Sequence, residues 1–334
     1  MIMDLVSVVI PCYNHEKYIR SCLESIINQT YKNIEILVCD DNSSDSSYEI
    51  LKEYETILKN RFSRVIICKN EVNLGVCKTL NKLIRQCEGQ YIKTIASDDM
   101  LRASAIKDYV DFMLHNNCDI LFANLYIVGE NVGYPVTDEE QLRKYYVSPP
   151  RISSNLTQQL CSGNFISGAS QFFKRSTFDK FGYYDERFCL EDWEFSLRVS
   201  KSGKIKYLDK VTMYYRMMEG TLSHYGSDPN SILKHRRFYH DKLTIFKEYN
   251  AFCNKQSKID FFSHAVIETI ILNDKELLKE ICQEINNSRI RIRFGAKFRL
   301  LLFQFGMYGI IRFVKNYLKS NILCDSCRED RRCK

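Results

Sequence analysis

Glycine and proline are scarce in this chain, 13 and 5 among 334 residues. That scarcity excludes collagen-like and linker-dominated architectures and leaves a packed globular protein. No apolar run reaches the roughly twenty residues a spanning helix needs; the longest, Leu300 to Ile311, is about twelve. No basic segment precedes the short apolar stretch of "MIMDLVSVVIP", so no secretory leader is read there and a cytoplasmic location is expected. Internal repeats and low-complexity tracts are absent. Fourteen cysteines are present, and without a leader they read as free thiols. Most, such as Cys22, Cys39, Cys68, Cys87 and Cys118, sit singly in apolar segments as small hydrophobes. Cys324, Cys327 and Cys333 begin like a zinc site but have no fourth ligand nearby, so metal is not expected there.

The net charge of +7 is unevenly placed. From Ser288 to Lys334 there are twelve Lys or Arg against three acids, which leaves the preceding chain near −2. Basic character therefore belongs to the tail, and the body lacks the basic, aromatic-studded face of a nucleic-acid binder. No nucleic-acid partner is expected.

What the body does contain is an alternation of strand and helix. Leu5 to Ile10 is a continuous apolar run, and Glu16 to Gln29 carries Ile19, Cys22, Leu23, Ile26 and Ile27 at helical spacing. Then follow "IEILVCD", a helix over 45–58 with Ser44 or Asp45 as its cap, "RVIICKN", a helix over 76–86, "YIKTIAS", a helix over 103–116, and "DILFANLYIV". Continuous rather than alternating hydrophobicity predicts strands covered on both faces, hence an α/β fold with a mostly parallel sheet and flanking helices.

Two pairs of adjacent aspartates, Asp40-Asp41 and Asp98-Asp99, follow the second and fourth of these strands. Ligands of open parallel sheets bind beyond the carboxyl ends of strands, so both pairs are placed to face one crevice. Adjacent carboxylates repel and are costly to desolvate, and a divalent cation bridging to phosphates, together with base and ribose donors, suits them. The first strand is followed by "PCYNHEKY", without glycine, and no P-loop occurs. Phosphates must then be held through a metal, which points to Asp98 and Asp99.

The stretches "VSVVIPCYNHEKYIRSCLESIINQTYKNIEILVCDDNSSDSS", "NEVNLGVCKTLN", "GQYIKTIASDDML", "FGYYDERFCLEDWEFSLRVSKSGKIKYL" and "YYRMMEGTLS" together resemble the family two glycosyltransferases of GT-A (Rossmann-like) fold, over roughly residues 5–225 and in that family's order. The resemblance implies an inverting transfer of a sugar from a nucleoside diphosphate, UDP first among the nucleotides, to an acceptor hydroxyl in cell-surface polysaccharide synthesis. It implies a catalytic domain over 1–225, with a nucleotide half (1–128) and an acceptor half (129–225), and a helical C-terminal region over 226–334. Carried over by position, Pro11 and Tyr13 lie along the nucleotide, Asp41 accepts the base N–H, and Asn73 and Ser97 join the donor set. Asp98 sits near ribose and metal, Asp99 ligates Mg²⁺ or Mn²⁺, and Gly168 leaves room for the donor sugar. Asp192 is the catalytic base, supported by Glu191. As a reading of the residues alone, "LEDWEF" places Asp192 at the start of a helix among apolar neighbours.

Two departures stand out. Ala96 replaces the aspartate many relatives have before "SDD", and Met218 stands where many place a histidine after "YR", leaving His224 as the nearest candidate third ligand. Two other readings share parts of the pattern, a sugar nucleotidyltransferase and a catalytically inactive scaffold of a glycan assembly complex. The first lacks its Gly- and Arg-rich loop after strand one, and the second has no need for Asp41, Asp98, Asp99 and Asp192 together. In the tail, Phe294, Phe298, Leu301, Leu302, Phe305 and Tyr308 recur at helical spacing among Arg291, Arg293, Lys297, Arg299, Arg312, Lys315 and Lys319. That pattern fits either an interfacial helix on anionic lipid, where a polyprenyl-linked acceptor would present itself, or a helix packed on the body.

Overall fold

The computed structural model describes residues 3–145, 155–217, 229–271 and 274–304. His224, Met218, the 305–319 part of the basic tail and the three terminal cysteines lie outside them. The chain divides into two compact units, Met1–Lys247 and Glu248–Lys334.

The first unit is built on one nine-stranded mixed sheet among the described residues. Strands β1 (Val6–Cys12), β2 (Ile34–Asp40), β3 (Arg64–Lys69) and β4 (Tyr91–Thr94) pair in parallel in the order β3-β2-β1-β4. β1, β2 and β4 are buried almost throughout, as their unbroken apolar runs require. The sheet continues through β5 (Met100–Leu101), β6 (Ile120–Val128), β7 (Arg143–Tyr145), β8 (Phe172–Lys174) and β9 (Ile205–Arg216) in the order β4-β8-β6-β9-β5, with β7 on β6. β8 runs antiparallel between β4 and β6, while β6 and β9 are parallel. Helices α1 (Ile19–Ile27), α2 (Ser47–Arg61), α3 (Val76–Ile84) and α4 (Ala105–His115) occupy the crossovers, each close to its sequence-derived span. At the start of α2 the backbone N–H of Ser47 donates to Asp45 Oδ1.

The stretch "SGASQFFKR" has the local pattern of a strand but is only partly one: Gly168–Ser170 forms a 3₁₀ turn and only Phe172–Lys174 joins the sheet. The physical reason is tertiary: Lys93 and Tyr109 take the carbonyls of residues 169–171 that a strand would give to its neighbours. The rest of the unit comprises α5 (Leu156–Cys161), α6 (Arg175–Phe181), α7 (Glu191–Ser200) and most of α8 (Pro229–Tyr249).

The second unit contains α9 (Lys255–Ile271), α10 (Lys275–Asn287), capped by Asp274 through the Leu277 N–H, and α11 (Phe294–Gln304). α11 is fastened to α9 by Arg293, whose N–H donates to Ser263 Oγ and whose guanidinium pairs with Asp260. Among the described residues no helix is long and apolar enough to cross a membrane.

Candidate active site

The two aspartate pairs meet at the loop that follows β1. Asp41 N–H donates to Cys12 O at 2.7 Å, and His15, three residues on, shares a proton between Nδ1 and Ser97 Oγ at 2.7 Å. The same nitrogen lies 3.9 Å from Asp98 Oδ1. His15 carries no signal in the sequence beyond its place in the glycine-free loop.

The members of each pair face differently. Asp40 is fully buried, taking the Ser43 N–H on Oδ2, so it shapes the turn rather than the crevice. Asp41 accepts from Asn70 Nδ2 and Leu74 N on Oδ1 and from Gly75 N on Oδ2, at 2.7–2.8 Å. It clamps the 70–75 turn, where Gly75 has φ +87° and Asn73 Oδ1 also receives the Gly75 N–H. Oδ2 keeps a lone pair for a further donor. Tyr13 stands 46% exposed immediately after β1, which contains Pro11.

The Asp98 side chain keeps a partial exposure of 13%, whereas Asp99 is buried. Asp99 Oδ1 accepts the Arg216 N–H at 2.8 Å, and Oδ2 is buried with no hydrogen-bond partner. Burial first, and then the Asp98 charge, push the Asp99 carboxyl well above the usual carboxylate range. Arg216 holds this corner from below: its guanidinium donates to the carbonyls of Asp98, Gly129, Glu130 and Val132 and lies 4.8 Å from the Tyr18 ring centroid. Two carboxylates, one with an orphaned oxygen, make a hard-oxygen donor set of the kind Mg²⁺ or Mn²⁺ takes. No cluster of three metal-ligating side chains occurs among the described residues.

Helix α7 begins with Glu191 and Asp192 at its N-terminus. Asp192 Oδ2 accepts from Asn164 Nδ2 at 2.9 Å and from Gly168 N at 3.2 Å, and Oδ1 accepts from Trp193 N at 2.7 Å. Trp193 is itself fixed, fully buried with its indole N–H on Leu160 O. A side chain at Gly168 would place Cβ 2.5 Å from Asp192 Oδ2, so glycine is needed for the approach. Surrounding protein raises the Asp192 carboxyl, and the three donors oppose that rise in part. Glu191 is pushed up to about 8 by burial and by the neighbouring Asp192 charge. One carboxylate oriented by three N–H donors, with a raised proton affinity, can take a proton from a hydroxyl brought to it.

The structure thus groups Ser97, Asp98 and Asp99 with His15 and Arg216, Asp41 with Asn70 and the 73–75 turn, and Gly168 with Glu191, Asp192 and Asn164. Asn164 carried no motif of its own.

A family model described as "Glycosyl transferase family 2" matches residues 7–182. Among curated relatives, Glycosyltransferase GlyA of Streptococcus pneumoniae is 31% identical over 67% of this chain, a region that spans 32% of GlyA's own length. UDP-Glc:alpha-D-GlcNAc-diphosphoundecaprenol beta-1,3-glucosyltransferase WfaP of Escherichia coli is 30% identical over 66% of this chain and 80% of its own. Among solved structures, S. aureus TarS 1-349 in complex with UDP has a TM-score of 0.55 at 23% identity, covering 84% of this chain and 78% of that one. The mannosyltransferase PcManGT from Pyrobaculum calidifontis, solved with GDP-Man and Mn²⁺, has a TM-score of 0.54 at 13% identity over 96% of this chain and 86% of its own. At those identities the solved structures speak to fold.

Proposed function

The chain belongs to glycosyl transferase family 2, and from that premise we propose that it transfers a sugar, with inversion, from a UDP-sugar to an acceptor hydroxyl in polysaccharide synthesis. The observation that carries the mechanism is the Asp192 carboxylate, held at the start of α7 by Asn164, Gly168 and Trp193. In this reading Tyr13 and Pro11 flank the base, Asp41 offers its remaining lone pair to a base N–H, and Asn73 and Ser97 complete the donor set. Gly168 keeps the wall beside the donor sugar thin.

Asp98, partly exposed, and Asp99, with its orphaned oxygen, would hold Mg²⁺ or Mn²⁺, and His224 is the candidate third ligand. Such an ion, when bound, would supply positive charge to stabilise the departing diphosphate. Asp192 takes the acceptor hydroxyl proton as that oxygen attacks from the face opposite the diphosphate, and a single displacement of this kind inverts the anomeric centre. Glu191, neutral below about pH 8, adds no competing charge beside it.

The acceptor is read as a glycan on a polyprenyl carrier, as the name of WfaP states for that enzyme. Peripheral contact with an anionic membrane at its cytoplasmic face suits such an acceptor. Support comes from α11, where Phe294, Phe298 and Leu301 are exposed among Arg291, Lys297 and Arg299. The test is release of UDP from a panel of UDP-sugars with Mn²⁺, followed by the anomeric configuration of the product. Release from GDP- or dTDP-sugars alone overturns the nucleotide assignment, and a retained configuration overturns the mechanism.

A further inference from the structure

Lys93 is fully buried, in the middle of β4, and nothing in the reaction described above uses it. Its surroundings are aromatic: Nζ lies 5.6 Å from the Tyr109 ring centroid, and Tyr109 stacks on Phe172 at 4.9 Å. A methionine would fill the same space without the cost of burying a polar amine, so the amino group needs another reason.

That reason is in its partners. Lys93 Nζ donates to Ala169 O and, at 3.1 Å, to Gln171 O, while Tyr109 Oη donates to the intervening Ser170 O at 2.9 Å. Three successive carbonyls of the Gly168–Ser170 turn and its exit are therefore fixed from one side. The turn closes on itself through Ser170 N to Ser167 O and Gln171 N to Gly168 O. What it presents to the other side is the Gly168 N–H, which donates to Asp192 Oδ2. Lys93 sits six residues before Asp99 on the same segment; burial pulls its ammonium down to about 7, and nearness to Asp99 opposes that fall in part.

We propose that Lys93 is a positioning residue that sets the Asp192 carboxylate through the Gly168–Ser170 turn, holding the base in register with the strand that delivers Asp98 and Asp99. The proposal rests on the reading of Asp192 as the base.

The experiment is a double-mutant cycle in the full chain, following UDP release from UDP-glucose and UDP-N-acetylglucosamine with Mn²⁺, alongside UDP affinity by calorimetry. Lys93→Met should lower kcat roughly 100-fold, the scale of a misplaced catalytic group, with donor KM and UDP affinity within about twofold. In an Asp192→Asn background the same change should cost less than about threefold, because residues acting as one unit are non-additive. Tyr109→Phe, which deletes one hydroxyl, should lose kcat in the same direction by a smaller factor, and it carries the cycle if Lys93→Met does not fold. A readout that needs no donor is hydrogen exchange of the segment containing Gly168, which should speed up in both variants.

Equal losses in the two backgrounds, a fall in UDP affinity matching the fall in kcat, or unchanged exchange at Gly168 each overturn the inference. Normal turnover by Asp192→Asn alone overturns the base reading and this inference with it. Because it shows in the single variant, that failure is distinguishable from a failure of Lys93 alone.

Discussion

The Gly168 amide nitrogen and Asp192 Oδ2 lie 3.2 Å apart, and the space a Cβ on Gly168 would need is the space that carboxylate occupies. Gly168→Ala would bring Cβ to 2.5 Å from Oδ2 and 2.6 Å from the Asp192 Cβ, so one side must move. The expected result is a drop in turnover of roughly 100-fold, from displacement of the base, with UDP affinity preserved. Steady-state kinetics beside calorimetry check it, and wild-type turnover in Gly168→Ala shows that Asp192 needs no such approach.

Asp192 and Glu191 should separate cleanly on substitution. Asp192→Asn removes the proton acceptor and should lose roughly 10²- to 10⁴-fold in kcat. Glu191→Gln copies the neutral acid that Glu191 is below about pH 8 and should stay within about threefold of the parent at pH 7. If Glu191→Gln is the more damaging of the two, the roles are reversed.

Stability should carry the mark of the same pair. Glu191 titrates near 4.5 when unperturbed and about 8 in the fold, so between those values the folded chain binds more protons at this site than the unfolded one. Its contribution is fully present below about pH 4.5 and is lost as pH rises to 8. Glu191→Gln should therefore show a smaller fall in melting temperature from pH 6 to pH 8 than the parent. Parallel falls in the two proteins contradict it.

Much of this was legible from residue order. β1 to β4 follow from apolar runs with no alternation, and both aspartate pairs fall at strand ends because those runs stop there. Other parts were not. The burial of the lysine in "YIKTIAS" is explained only by the carbonyls of Ala169 and Gln171, almost eighty residues on, which leave no mark near it in the sequence. Arg216 is similar: its guanidinium hydrogen bonds all go to backbone carbonyls, which leave no trace in side-chain identity. The 3₁₀ turn at Gly168–Ser170 sits in a stretch whose local preference is extended, and the donors that bend it come from β4 and α4.

Asp41 makes a prediction about binding rather than turnover. Its carboxylate satisfies the Leu74 and Gly75 N–H groups and Asn70, so Asp41→Ala leaves that turn without its clamp. The expected cost is about 1–3 kcal/mol of stability, the usual penalty for unpaired buried donors, together with weaker UDP binding. Denaturant unfolding and calorimetry measure the two, and unaltered UDP affinity removes Asp41 from the nucleotide site.

The last prediction concerns α11, where burial and charge point in opposite directions. Ala296 is 1% exposed and Arg293 is tied to Asp260 and Ser263, so one face of the helix is committed to α9. Phe294 is 83% exposed and stacks at 6.2 Å on Phe298, itself 52% exposed, with Leu301 one turn further on. Exposed aromatics beside Arg291, Lys297 and Arg299 are what an interfacial helix offers to anionic lipid, apolar rings for the acyl boundary and cations for the headgroups. The intact chain should float with vesicles containing phosphatidylglycerol and be released by high salt. Phe294→Ser with Phe298→Ser should abolish flotation while leaving UDP release from a soluble donor unchanged, since the rings serve the membrane and not the reaction. Failure of the intact chain to float at low salt would show that this face is not a lipid contact, and the lipid-linked acceptor would lose its structural support.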